Sequence, residues 1–304
     1  MPVTLVISDI HANPWALEAV LSHAHKRFSL GEIWFLGDLF GYGPAPYQVW
    51  NKLCKNPVLP TTILAGNHDW GILKRIEGPK VIPDGNGFFK GSLHVGHYRE
   101  AAYKVIIRHQ DLLKSKIRLL EKVSAYPIMS SPRKGVYLAH GEITGTLFDS
   151  VERYTRHPML SPLEMTAQFK DAKQNAEQEH DVYLPKEHEK SKPQIFCVGH
   201  THLQRLWQWN AESAQWQSKP TDKPHNLKDL EKSPLMFNPG SVGFPRDASG
   251  CPAYVVLDWD NEVLRFEHVW YDTAQLREAM SAEPYVDLIS DSQFFIEPNY
   301  QENS

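Results

Sequence analysis

Ala65-Gly66-Asn67-His68-Asp69 follows the short apolar run Thr62-Ile63-Leu64, which reads as the end of a buried β-strand. Gly66 lets the chain turn sharply at that exit. The next three side chains are an amide, an imidazole and a carboxylate. Asn67 offers a neutral oxygen to a hard metal ion. His68 is the group best suited to handle charge and protons near neutral pH. Asp69 can fix the tautomer and orientation of a neighbouring imidazole. One such tetrapeptide says little by itself. It decides the fold because four other segments end in the same way.

Thr4-Leu5-Val6-Ile7 is the first strand and leaves through Ser8-Asp9-Ile10-His11. In an extended chain the period of two puts Asp9 and His11 on one side. Asn13 and Pro14 then start a helix with Leu17, Val20, Leu21 and Ala24 at helical spacing, and His23 and His25 lie on its surface. Ile33-Trp34-Phe35-Leu36 is the second strand. It ends in Gly37-Asp38 and the tight loop Gly41-Tyr42-Gly43-Pro44. A short helix from Tyr47 to Cys54 leads to the third strand, Thr61 to Leu64. Asp9, Asp38 and Asn67 thus stand at the ends of three strands in βαβαβ order. Right-handed crossovers gather such ends at one edge of a parallel sheet, where open α/β sheets build their sites. Val136-Tyr137-Leu138-Ala139 adds His140-Gly141, and Ile195-Phe196-Cys197-Val198 adds Gly199-His200-Thr201-His202, whose histidines share a face by the same period.

Elsewhere, residues 70 to 97 read as a loop-rich lid or excursion, and Tyr98 to Val123 as helical with a break at Asp111. Residues 163 to 181 read as a helix and 184 to 194 as an exposed loop. Gln204 to Gln217 suggests a hairpin. Met236-Phe237 leads into Asn238-Pro239-Gly240-Ser241-Val242-Gly243. Ala253 to Leu257 and Val263 to Val269 form an antiparallel pair turned at Asp260-Asn261. The expected organisation is one domain over residues 1–280, with surface insertions at 174–194 and 210–234 and a C-terminal tail at 281–304.

With 304 residues, 41% of them hydrophobic, the chain can bury one continuous α/β core. A formal net charge of -4 argues against general nucleic-acid binding, which needs a basic surface. It leaves room for a small phosphorylated substrate, since a metal pair brings its own positive charge. No apolar run is long enough to span a bilayer, and the N-terminus lacks a signal-peptide pattern. Cys54, Cys197 and Cys251 are scattered, as expected of reduced core residues. A cytoplasmic location is the expectation, with no membrane partner; the oligomeric state is left open.

Asp9, His11, Asp38, Asn67, His140, His200 and His202 offer oxygens and imidazoles and no thiolate. Such a set suits Mn, Fe, Zn or similar ions. Seven donors are too many for one catalytic ion with an open position, and suit two ions if a carboxylate bridges. Paired ions of this kind serve phosphate-ester chemistry.

In this order the motifs Asp9-x-His11, Gly37-Asp38, Gly66-Asn67-His68-Asp69, His140 and Gly199-His200-Thr201-His202 resemble those of the calcineurin-like metallophosphoesterases. The Gly41-Tyr42-Gly43-Pro44 loop and Asn238 to Gly243 narrow the likeness to their small bacterial and archaeal phosphodiesterase type, over residues 3 to 272. The resemblance implies an α/β fold of four layers, α/β/β/α, in which two packed mixed sheets are flanked by helices. It implies two divalent metal ions, Mn or Fe first, with Zn, Ni or Co as alternatives. Asp9, His11 and His202 would hold one, Asn67, His140 and His200 the other, and Asp38 would bridge. A bridging hydroxide would attack phosphorus in line. His68 would stabilise the transition state or protonate the leaving oxygen, with Asp69 orienting it. Phosphoprotein phosphatases of the superfamily usually carry Glu at the position of Asp69 and Arg at that of Ala65. A phosphodiester is therefore the first expectation, ahead of a dinucleoside polyphosphate, a phosphomonoester or a phosphoprotein.

Rival classes fit less well. Ser241 is one residue short of a Gly-x-Ser-x-Gly elbow. Gly41-Tyr42-Gly43 does not extend to a dinucleotide fingerprint, and no P-loop is present. A metal-binding interaction scaffold is the non-enzymatic alternative, but His68 and all seven donors are intact.

Overall fold

The computed structural model describes residues 2–55, 58–69, 71–72, 82–83, 89–90, 100–114, 128–130, 133, 135–141, 195–213, 215–230 and 233–289. In chain order the strands are β1 (Val3–Ile7), β2 (Leu30–Phe35), β3 (Thr61–Ile63), β4 (Ile82–Pro83), β5 (Phe89–Lys90), β6 (Ile128–Ser130) and β7 (Val136–Ala139). They continue with β8 (Ile195–Cys197), β9 (Gln204–Asn210), β10 (Gln215–Lys219), β11 (His225–Asn226), β12 (Leu235–Pro239), β13 (Ala253–Asp258) and β14 (Val263–His268). The helices are α1 (Pro14–Arg27), α2 (Pro46–Trp50), α3 (Glu100–Leu113), α4 (Leu227–Leu230), α5 (Ala274–Ser281) and α6 (Val286–Ile289).

Two mixed six-stranded sheets carry the fold, in the orders β11-β14-β13-β1-β2-β3 and β10-β9-β12-β8-β7-β6. β1, β2 and β3 are parallel neighbours, as the crossover argument requires. In the second sheet β7, β8 and β12 run parallel, and β6 and β9 are antiparallel to their neighbours.

The alternation of side chains sorts the layers. Leu5, Ile7, Ile33, Phe35, Tyr254 and Val256 leave one face of the first sheet and pack with Leu17, Val20, Trp50 and Ile106 from the helices. Their strand neighbours Val6, Trp34, Val255 and Leu257 point the other way. There they meet Val136, Leu138, Ile195, Cys197, Leu235 and Phe237 of the second sheet in a core between the sheets. Tyr137, Phe196, Trp207, Trp216 and Met236 form a further cluster on the second sheet's outer face. The helix expected over 163–181 lies outside the described residues, as does the insertion 174–194.

α1 starts as expected. Asn13 Oδ1 accepts the Ala16 N–H at 3.1 Å, and Pro14 occupies the first turn, where its missing N–H costs nothing. His25 is exposed on this helix, whereas His23 is half-buried and bonds to the Tyr254 hydroxyl at 2.7 Å.

Other expectations change. α3 runs through Asp111 to Leu113, because an exposed Asp on the polar face does not interrupt an apolar stripe of Ala102, Val105, Ile106 and Leu113. Most of residues 70–97 lies outside the described residues, apart from residues 71–72 and the β4–β5 pair. The stretch 210–234, expected as a surface insertion, carries β10 on the edge of one sheet and β11 on the edge of the other. Buried Trp216 and Leu227 anchor it. The expected tail is core up to residue 289: Tyr285 and Ile289 pack with Val105, Phe244, Leu276 and Met280. No helix among the described residues is long and apolar enough to cross a membrane.

Candidate metal centre

All seven expected donors meet at the C-terminal ends of β1, β2, β3, β7 and β8. They do not get there by extended backbone. Asp9, His11, Asp38, His200 and His202 have φ of 53°, 47°, 59°, 67° and 62°, so the period of two stops at the strand ends. What replaces it is a zipper of backbone bonds between two exit loops. The N–H groups of Asp9, His11 and Ala12 donate to the carbonyls of Gly37, Asp38 and Leu39 at 2.9, 3.0 and 2.8 Å. Gly66 is also needed for a different reason than a turn. A Cβ there would meet Asp38 Oδ1 at 2.0 Å, so the glycine makes room for the carboxylate.

Three imidazoles are fixed by the backbone. His11 Nδ1 lies 2.9 Å from the Phe40 carbonyl, His140 Nδ1 2.7 Å from that of Leu36, and His202 Nδ1 2.6 Å from that of Phe244. A carbonyl only accepts, so Nδ1 carries a proton in each ring, and in neutral His11 and His202 Nε2 then presents a lone pair to the centre. The Nε2 atoms of His11 and His202 then face each other at 3.1 Å. Asp9 Oδ1, fully buried, lies 3.3 Å from His202 Nε2 and has no hydrogen-bond partner. Two lone pairs and an orphaned carboxylate oxygen in a buried site are what a cation would satisfy. The residues present therefore fit a metal ion.

The seven donors group in two neighbouring sets. Ligand atoms of Asp9, His11 and His202 lie within 4.8 Å of one another, as do those of Asp38, His140 and His200. Asn67 Oδ1 joins the second set, 3.3 Å from His140 Nε2 and 3.0 Å from His200 Nδ1. Asp38 Oδ2 reaches both, 3.7 Å from His11 Nε2 and 3.4 Å from His140 Nε2. A third grouping joins His68 to His11 and Asp38. Electrostatics follow the geometry. Burial opposes a charge on His140, yet the Asp38 and Asp9 carboxylates hold it up to about 9. Burial and the neighbouring His140 push His200 down to about 3.

His68 is buried, its ring 5.0 Å from that of His11 and 4.7 Å from that of Tyr42. Its backbone N–H donates to Asp38 Oδ1 at 2.9 Å. Asp69 departs from the expected contact with this ring. Its oxygens accept the N–H groups of Leu39, Phe40 and Gly66 at 3.1, 3.0 and 2.9 Å. Burial and the nearby Asp38 charge still raise its carboxyl to about 7. Asp69 thus ties two exit loops together instead of gripping His68. Ser241 has a similar duty: its hydroxyl donates to the Asp9 carbonyl at 2.8 Å and accepts the Phe244 N–H at 2.7 Å.

Sequence reasoning missed His109. This fully buried residue of α3 accepts the Gly41 N–H on Nδ1 at 3.2 Å and donates from Nε2 to the Gly43 carbonyl at 2.9 Å. It clasps the loop that places Tyr42 against His11 and His68. A signal was available: His109 continues the stripe of Ala102, Val105 and Ile106 at helical spacing, so a polar residue stood on a buried face.

Comparison with known proteins bears on the family and the fold. The sequence model of the calcineurin-like phosphoesterase superfamily domain matches residues 3–262. An uncharacterized protein of Methanocaldococcus jannaschii is 41% identical over 276 residues, covering 90% of this chain and 89% of its own length. The fold is similar to that of a metallophosphoesterase from Sphaerobacter thermophilus, with a TM-score of 0.60, 22% identity, and 95% and 98% of the two chains covered. It is also similar to a hypothetical protein from Pyrococcus horikoshii OT3, with a TM-score of 0.61, 14% identity, and 95% and 97% covered. At these identities the solved structures speak for the fold alone.

Proposed function

The chain belongs to the calcineurin-like phosphoesterase superfamily, and from that premise we propose that it hydrolyses phosphodiesters at a centre of two divalent metal ions. The observation that carries the reading is Asp38, whose Oδ2 is shared between two sets of buried donors. Asp9, His11 and His202 would hold one ion and Asn67, His140 and His200 the other, with Mn or Fe first and Zn, Ni or Co compatible with the same donors. When bound, the pair supplies Lewis acidity toward phosphoryl oxygens and a nucleophile at neutral pH.

The chain's own part is positioning. The Nδ1 bonds to the Phe40, Leu36 and Phe244 carbonyls aim three imidazoles inward. Asp69 locks the loops that present Asp38 and His68. His68 faces the charge that develops on the phosphoryl or leaving oxygen. The residues Ala65 and Asp69 favour a diester over a phosphoprotein, as argued from the sequence.

The test is metal analysis and turnover on one Mn-loaded preparation. The expected result is two ions per chain, faster hydrolysis of bis(p-nitrophenyl) phosphate than of p-nitrophenyl phosphate, and loss of both metal and activity in Asp38→Ala. A chain that binds a single ion, or an Asp38→Ala variant with full metal content, would remove Asp38 from the bridging role. A preference for the monoester would overturn the diester assignment.

A further inference from the structure

The segment after Ser241 does more than hold His202. The Phe244 carbonyl takes the His202 Nδ1 proton, and the Arg246 N–H donates to the His202 carbonyl at 3.2 Å. Residues 244 and 246 therefore bracket one expected metal ligand, with Pro245 stiffening the link between them. The Phe244 ring stacks on Tyr42 at 4.8 Å and stands 5.6 Å from the His202 ring. The guanidinium of Arg246 lies over that same Phe244 ring, 5.6 Å from its centroid. This is a weak tether for a cation by itself.

Arg246 is half-buried, and no carboxylate lies within ion-pair distance of it among the described residues. The adjacent Asp247 is engaged elsewhere, accepting from Ser249 and pairing with His268 at 3.5 Å. The guanidinium is near the centre by geometry: it sits over the Phe244 ring, which stands against the His202 ring, and its own backbone N–H is bonded to His202. A fixed cation beside a site built for further cations is unfavourable unless an anion lies between them. The guanidinium fork is suited to phosphate, which it can bind through two parallel hydrogen bonds.

We propose that Arg246 holds a second, non-reacting phosphate of the substrate, so that the site takes esters whose other arm carries a further phosphate, as in diphosphate and polyphosphate esters. The proposal rests on the phosphoesterase reading above and narrows its substrate class. Phe244 carries the guanidinium over its ring, and Tyr42 stacks on Phe244.

The probes are methylphosphonate and methylenediphosphonate, titrated calorimetrically into Mn-loaded protein, with metal content measured afterward. Wild type should bind the diphosphonate more tightly, and Arg246→Gln should reduce that preference at least tenfold while leaving methylphosphonate affinity within about threefold. Arg205→Gln, an equal charge change at an exposed residue, should leave the preference intact. Arg246→Lys preserves the charge and should fall between the two, which separates loss of a phosphate contact from loss of fold. An unchanged preference in Arg246→Gln, an equal loss for both probes, or no preference in wild type would overturn the proposal and leave the phosphoesterase reading standing. Failure of metal-loaded wild type to bind either phosphonate would overturn both.

Discussion

Asp9, His11, Asp38, His200 and His202 all adopt a left-handed backbone that a non-glycine residue occupies at a cost of about 1–3 kcal/mol. Such strain persists where surrounding bonds over-determine it, and here the zipper between residues 9–12 and 37–39 does so. Which residue types would meet was legible in the sequence, because each donor follows an apolar run. How they meet was not, since φ at a strand exit is set by bonds to a loop some thirty residues away. His68 is the residue whose role is most open to test. Burial holds it down to about 4, and an incoming phosphoryl anion would favour its protonated form. His68→Ala should keep nearly full metal content and lose about 10²–10⁴-fold in turnover, or roughly 3–5 kcal/mol of barrier. The loss should be larger on alkyl than on nitrophenyl esters, because a nitrophenolate leaves without a proton. Equal losses would leave only a hydrogen bond to the phosphoryl oxygen, and loss of metal would make His68 a ligand.

Elements were read with different success according to how local their signals are. The central strands β1, β2, β7 and β8 alternate cleanly between two cores, and the alternation is written in their own residues. The β9–β10 pair is the hairpin expected over Gln204 to Gln217, whereas β11 is a two-residue edge strand whose place depends on its partner β14, so the composition around it suggested only a surface excursion. α5 and α6 were hidden for a related reason: only a few residues of each are buried, too few to show a period. α3 supplies the element-level prediction through His109. His109→Ala leaves the Gly41 N–H without its acceptor, at a cost of about 1–3 kcal/mol. The Gly43 carbonyl keeps the Tyr285 hydroxyl at 3.1 Å, so the loop should shift without unfolding. Turnover per bound metal should drop at least tenfold, with partial recovery in His109→Asn, whose amide offers both a donor and an acceptor. A lower melting temperature with unchanged turnover per metal would show that the clasp serves stability alone.

At the scale of the molecule, the centre is shared between the two sheets. Asp9, His11, Asp38 and Asn67 follow strands of the first sheet, and His140, His200 and His202 follow strands of the second. Elsewhere the sheets meet mainly in an apolar core, which by itself has no preferred direction of slip, with a few polar links such as Gln204 Nε2 donating to the Tyr254 carbonyl at 3.2 Å. Asp9 Oδ1 is buried without a hydrogen-bond partner at this seam, and the donors of both sheets crowd there. A cation bound to the folded chain would relieve that crowding and link the sheets. It would also raise stability by mass action, about 2.7 kcal/mol for each site held at a hundredfold excess over its dissociation constant. For a chain of 304 residues each kcal/mol moves the melting temperature by about 1.5 °C, so Mn should raise it by roughly 4 °C per site. Thermal unfolding with and without Mn, after removal of metal by a chelator, measures this directly. Asp38→Ala should lose most of the shift, because its carboxylate touches both donor sets. Substituting an exposed residue such as Lys228 should not affect it. A metal-independent melting temperature in wild type would mean that the two sheets are not bridged through these side chains.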